Sequence, residues 1–354
     1  MSRGRTLAEA YRHFAEVDAA GTSPLYERVA VALSGSDAAL RAIEAAPARR
    51  RQPTVILAAL HDLALAGRAP ALAAAYAAGD GDTAARAAID TLLRSTDSVV
   101  ALAARRTVRR DETGRCSVLY PVIAEGARRV GAQTVGLIDV GCSAGLNLNV
   151  DRVGITYSNG QSLGDPSSPV QFSASIVGYR PVPPRAMPGV VARIGIDPDP
   201  LDVTDTDDAR WLRACVAPDQ PERRARLDAE LALAATAPPL LLRADAVEVL
   251  SEAIAGVPAD ALPVVLTTWA LSSFPLESRA GFLSRLEDAA AGRPLVWVSV
   301  EGVGVAPSIP TMGDRRASGH SILGLAVSDG SGLRAEAVGR CWSRGRLLAW
   351  LADA

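Results

Sequence analysis

Leu137-Ile138-Asp139-Val140-Gly141-Cys142-Ser143-Ala144-Gly145-Leu146-Asn147 decides the fold. The apolar run Thr134–Val140 reads as a strand with Asp139 near its end. The small residues at 141, 143 and 145 give a tight turn that lets a ligand approach the backbone, and Leu146–Val150 reads as the start of a helix with unpaired N–H groups. Strand, glycine-rich turn and helix in succession predict an α/β sheet that binds its ligand at the carboxyl ends of its strands. Spacing alone does not separate a dinucleotide site from other nucleoside sites, or either from a purely structural turn. Glycine stands at only the first of the GxGxxG positions Gly141, Ser143 and Leu146, which weakens a dinucleotide oxidoreductase.

Downstream, strands are expected at Val191–Ile196 ending at Asp197, Pro239–Arg243 leading to Asp245, Pro263–Thr268, and Pro294–Val300 ending at Glu301. Helices are expected at Asp205–Cys215, Pro221–Ala235, Val247–Ile254 and Leu276–Ala290 between them. Ser321–Ser328 and Leu333–Trp342, joined by Asp329-Gly330-Ser331-Gly332, read as a closing hairpin. Alternating strands and helices give a sheet with crossovers, and the hairpin adds antiparallel strands. Residues 153–190, rich in Gly, Pro and Ser, read as an irregular insertion with at most a hairpin and a loop. Upstream, residues 1 to about 110 read as helical throughout, with Pro53–Leu65 and Pro70–Ala78 opening on proline. The expected division is a helical cap over 1–112 and a sheet domain over 113–354.

Composition narrows the chemistry. The chain has 354 residues, 49% of them hydrophobic, and a net charge of −2, which disfavours nucleic-acid binding by phosphate neutralisation. All 37 basic residues are arginine, so lysine-based Schiff bases, lysine nucleophiles and a P-loop lysine are excluded. Four scattered cysteines and three scattered histidines form neither a disulfide framework nor a metal pattern. No charge-free run reaches membrane-spanning length and no signal peptide is legible, so a cytoplasmic protein is expected, without membrane or nucleic-acid partners. Its oligomeric state is not legible.

The turn resembles the first motif of the class I S-adenosylmethionine-dependent methyltransferases, with Ser143 in place of their central glycine. That resemblance implies a methyltransferase-like Rossmann sheet over about 117–354. It implies S-adenosylmethionine lying over Asp139, Gly141, Ser143 and Gly145, with Asp197 on the ribose and Asp245 near the adenine. Thr267-Thr268-Trp269-Ala270-Leu271 falls where the substrate or catalytic motif of that fold lies. The separation of Asp139 and Asp197, far beyond the roughly 20 residues of the usual nucleotide-binding pattern, requires the insertion. A closer resemblance, through Arg109–Arg115, Val140–Asn147, Gly164-Asp165-Pro166, Pro200–Val203 and Arg210-Trp211-Leu212, is to the uncharacterised, mostly actinobacterial DUF2332 type. It spans nearly the whole chain and implies a fold but almost no chemistry.

Glu112, beside Arg115, is a candidate general base at the domain seam, with the arginine holding it or binding an acidic substrate; the alternative is a plain ion pair. Glu301 is a candidate base or substrate anchor, or else a loop carboxylate. His320, the one histidine of the sheet domain, is a candidate base, or else an exposed loop residue. Trp269 is a candidate pocket wall, or else core. Three functions remain: methyl transfer to a small molecule; cofactor-independent elimination or ring closure on a small or carrier-bound metabolite using Glu112 or Glu301; and non-catalytic binding.

Overall fold

The computed structural model, described for residues 6–109, 114–330 and 332–352, divides into two compact units. One comprises Met1–Asp111 with Thr204–Asp228, the other Glu112–Val203 with Ala229–Ala354. The segment 204–228, expected in the sheet domain, thus belongs with the N-terminal helices. Its helix Thr206–Ala214 buries Trp211 and Leu212. The Trp211 indole donates to the Thr107 carbonyl at 2.9 Å, and Arg210 pairs at 3.0 Å with Asp62, which is buried.

The helical unit forms because apolar residues recur at helical spacing around one shared core. Helices span Leu7–His13, Pro24–Ser34, Asp37–Glu44, Pro53–Leu65, Pro70–Ala78, Gly81–Arg94 and Thr96–Arg105. Ser23, Ser36 and Asp80 cap three of them by accepting from backbone N–H groups in the first turn. Pro53–Leu65 is apolar nearly all round and ten of its thirteen residues are buried, which marks it as the central helix. Among the described residues no single helix is long and apolar enough to cross a membrane.

The sheet unit has eleven strands among its described residues: β1 Thr134–Val140, β2 Gly154–Tyr157, β3 Ser162–Gly164, β4 Gln171–Ile176, β5 Gly189–Asp197, β6 Leu240–Arg243, β7 Leu262–Thr268, β8 Leu295–Gly302, β9 Ser321–Ser328, β10 Arg334–Trp342 and β11 Leu347–Trp350. Their order is β3-β2-β4-β11-β10-β9-β8-β7-β1-β5-β6. The strands β6-β5-β1-β7-β8 are mutually parallel. Numbered among themselves they run third-second-first-fourth-fifth, the doubly wound order, whose switch point lies between β1 and β7.

Side-chain alternation explains the two covered faces. Leu137, Val264, Leu266, Val296 and Val298 enter one core with the helix Cys116–Arg129; Ile138, Val140, Val265 and Trp297 enter a second with the helices Ala246–Ala255 and Leu276–Ala290. A sheet buried on both faces needs continuous apolar strands, and β1 and β7 are of that kind. Strands β9 and β10 form the expected antiparallel pair. Two expectations change. Residues 153–190 are not irregular but supply β2, β3 and β4, and β4 pairs in parallel with β11, a strand that no sequence signal announced. After the glycine turn, Leu146–Arg152 is a kinked 3-10 segment rather than an α-helix. The chain enters β2 at Gly154, so no length remains for a helix along the sheet.

Candidate functional site

The carboxyl ends of β1 and β7 flank the switch point, where an open α/β sheet has its crevice. Each strand runs into a turn that holds a non-glycine residue in the left-handed region: Ser143 at φ +54° after β1 and Trp269 at φ +55° after β7. For a residue as bulky as tryptophan this is a genuine outlier, and such conformations persist only where the surroundings hold them.

The first turn is held from β5. The Asp197 carboxylate, buried at the end of that strand, accepts from Ser143 N at 3.0 Å and from Asp199 N at 2.8 Å. Gly141 N and Cys142 N donate to the Ile196 carbonyl at 2.8 and 3.2 Å, and Leu201 N donates to the Ser143 carbonyl at 3.0 Å. Gly195 is required beneath the turn, because a Cβ there would stand 2.6 Å from the Cys142 sulfur. Cys142 is accordingly a packing residue. Gly141 and Gly145 both take positive φ, at 71° and 70°.

The second turn is held from β8. Glu301, 1% exposed, accepts at Oε1 from Ala270 N at 2.9 Å and Leu271 N at 3.0 Å, while its Oε2 is buried with no hydrogen-bond partner among the described residues. Burial pushes this carboxyl up to about 7; the N–H groups of Leu271, Ala270 and Ser272 and the charge of Arg279 offset only part of that rise. It is therefore no loop carboxylate. Trp269 itself is tied by its backbone N to the Val300 carbonyl at 2.9 Å and by its indole N–H to Ser321 Oγ at 2.8 Å. The two turns touch: a Cβ on Gly141 would lie 2.9 Å from the Cβ of Ala270.

A polar chain crosses the switch point between them. Asn147 donates through Nδ2 to Asp139 Oδ2 at 3.1 Å and to Thr268 Oγ1 at 3.3 Å. Arg115 donates to the same hydroxyl at 3.2 Å, and its guanidinium stands 5.2 Å from the centre of the Trp269 ring. Asp139 is fully buried, whereas Arg115, Asn147 and Trp269 are half-exposed. This edge therefore offers a guanidinium, a carboxamide and an aromatic face to a ligand, above a buried carboxylate.

Of the residues singled out from sequence, Asp139, Gly141, Ser143, Gly145, Arg115, Trp269, Asp197 and Glu301 come together at this edge. Asp245 is the exposed N-cap of the helix Ala246–Ala255, accepting from Val247 N at 2.8 Å. His320 is not an exposed loop histidine. Its side chain is 5% exposed, its Nε2 lies 2.9 Å from Asp314 Oδ2, and its ring is 5.5 Å from that of Trp342. Asp314 also takes two bonds from Arg340, which hold its carboxyl below the usual range. Glu112 lies outside the described residues. Asn147, Thr268 and Ser321 received no role from sequence, although the first two stand inside motifs that were quoted for other residues.

A family model described as "Uncharacterized protein conserved in bacteria (DUF2332)" matches residues 8–350. No curated protein matches the chain, and no solved structure does.

Proposed function

Because the chain belongs to the DUF2332 family of uncharacterized bacterial proteins and carries a Rossmann-like sheet compatible with small-molecule enzymes, we propose that it is an enzyme acting by proton transfer on a small organic molecule with an anionic or strongly polar group. The observation that carries this reading is the pair of strained turns at the switch point, the second held by a buried carboxyl whose ionisation falls near neutrality. Arg115 and Asn147 would hold the polar group, with the substrate's flat or apolar part on Trp269. Glu301, with Oε1 already bonded to the turn, has Oε2 as the oxygen that takes a proton. In the elimination or ring closure this supports, the base removes a C–H, O–H or N–H proton. The electron pair left behind forms the new bond, and the leaving group departs with its own pair, its charge balanced by Arg115.

Methyl transfer is the second reading, favoured by a glycine turn at the carboxyl end of the first strand, beside the switch point. The side chains that this reading assigns to the nucleoside do not fit it well. Both Asp197 oxygens accept from backbone N–H groups, and Asp245 caps a helix. No step is therefore routed through S-adenosylmethionine.

Calorimetric titration with S-adenosylmethionine and S-adenosylhomocysteine decides between the two readings. The proposal expects no saturable heat from either, and saturable binding would overturn it in favour of methyl transfer. In parallel, a panel of small carboxylates and phosphates is screened by thermal shift against the wild type, Arg115→Met and Arg224→Gln. The proposal expects hits that vanish in the Arg115 variant and survive in the other; hits indifferent to Arg115 would overturn this binding mode.

A further inference from the structure

The helical unit contains a cavity of about 220 Å³ that the switch-point chemistry does not use. Its wall is formed by His61, Leu65 and Tyr76 from the helices Pro53–Leu65 and Pro70–Ala78, together with Val216, Pro218 and Arg224. All of these belong to one unit. The walls are mainly apolar, and the volume exceeds the roughly 150 Å³ of an engineered cavity that takes up benzene.

Two polar side chains give it direction. His61 is buried; burial, followed by the charge of Arg224, lowers its pKa to about 4, so the imidazole is neutral at physiological pH. Its Nδ1 faces the Ala214 carbonyl at 3.3 Å, which fixes the proton on that nitrogen. Arg224 is half-buried and donates through Nε to Asp228 at 3.0 Å, while its terminal nitrogens make no hydrogen bond among the described residues. Asp228 is shared with Arg213 at 2.6 Å, so this cluster of two arginines and one carboxylate carries a net positive charge. The nearby Asp219 is engaged by Ser23 Oγ and Leu25 N.

We infer that this cavity is a binding site for a small apolar carboxylate, such as a branched short-chain or aromatic acid, with its hydrocarbon part between the two helices and its carboxylate on Arg224. A cationic ligand would meet the guanidinium, and a neutral one would leave it unused. The inference uses no residue of the sheet unit and stands independently of the reading above.

The test uses the full chain and calorimetry with benzoate, 3-methylbutanoate and, as a neutral comparison, benzyl alcohol. Saturable binding of at least one acid is expected, at least about tenfold tighter than the alcohol. Arg224→Gln should abolish that preference while leaving residual binding, and Ala73→Met, which fills the cavity from its rim, should abolish binding of both kinds. No saturation by either acid at millimolar concentration, equal affinity for acid and alcohol, or binding insensitive to both substitutions would each overturn the inference. Circular dichroism and thermal unfolding confirm that the variants are folded.

Discussion

The turns after β1 and β7 solve one problem with different chemistry. Each holds a non-glycine residue in the left-handed region at the switch point, and each is anchored by a buried carboxylate from the neighbouring strand, Asp197 of β5 or Glu301 of β8. Asp197 engages both oxygens with backbone N–H groups, so the first turn is closed upon itself. Glu301 engages one oxygen and buries the other without a partner among the described residues, and its carboxyl ionises at about 7. The same anchoring residue type thus gives a fixed brace on one side of the crevice and a proton-sensitive one on the other. What separates them is whether the second oxygen finds an N–H.

The largest effect should follow removal of the fixed brace. Asp197→Ala leaves two N–H groups without their charged acceptor, and hydrogen bonds to charged groups contribute about 1.5–3 kcal/mol each. A loss of roughly 3–5 kcal/mol is expected in urea unfolding, with Asp197→Asn intermediate because it retains one acceptor oxygen. A loss below about 1 kcal/mol would mean that the first turn holds itself and that the comparison between the two braces is wrong.

The proton-sensitive brace is tested by pH. Glu301 has a folded-state pKa raised from 4.5 to about 7, so between these values the folded state binds more protons than the unfolded chain. Its contribution to stability is therefore greatest at the acid end, falls as pH rises through this window, and levels off once the folded carboxyl has ionised. The full excursion is roughly 3 kcal/mol. Glu301→Gln keeps an oxygen for Ala270 N and Leu271 N but cannot titrate. Unfolding free energies from about pH 5 to about pH 8 should show the wild type losing stability relative to this variant. A difference that stays flat over that range would remove the contrast with Asp197.

Most of the fold was legible because β1, β7 and β8 are continuous apolar runs that end in a polar residue or a turn, and helices such as Pro53–Leu65 begin with proline. The strands of 153–190 were hidden by their shortness and their company. β3 has three residues, and β4 pairs with a β11 distant in sequence, so no local period announces either. The segment 204–228 was misassigned because its amphipathic helix suits either core. Trp211 commits it to the helical unit, and only tertiary packing reveals that. At the site, sequence located the two turns and their carboxylates but not how those carboxylates are used. Asp197 looks like a ligand-binding residue at a strand end, and nothing local shows that Ser143 N and Asp199 N already occupy it. Whether Glu301 is buried depends on β9 lying beside β8, which is again a non-local fact.

The smallest effects carry the finest distinction, because both turns contain a residue that glycine would relax. A left-handed conformation costs an L-residue roughly 1–2 kcal/mol, part of which glycine returns as greater freedom in the unfolded chain. Ser143→Gly leaves the backbone bonds to Asp197 and Leu201 intact, so it should stabilise the protein by about 0.5–1 kcal/mol. Trp269→Gly obtains the same relief but loses the indole bond to Ser321, the contact with Arg115 and the buried part of the ring. The hydrogen bond contributes about 1 kcal/mol and the cation–π contact about 0.5–1. With the lost apolar area added, this substitution should destabilise the protein by about 1–2 kcal/mol, opposite in sign to its counterpart. Thermal unfolding of the two variants side by side measures that difference. If both stabilise, Trp269 is held in place for something other than the fold, and its ring becomes the first surface to probe for substrate.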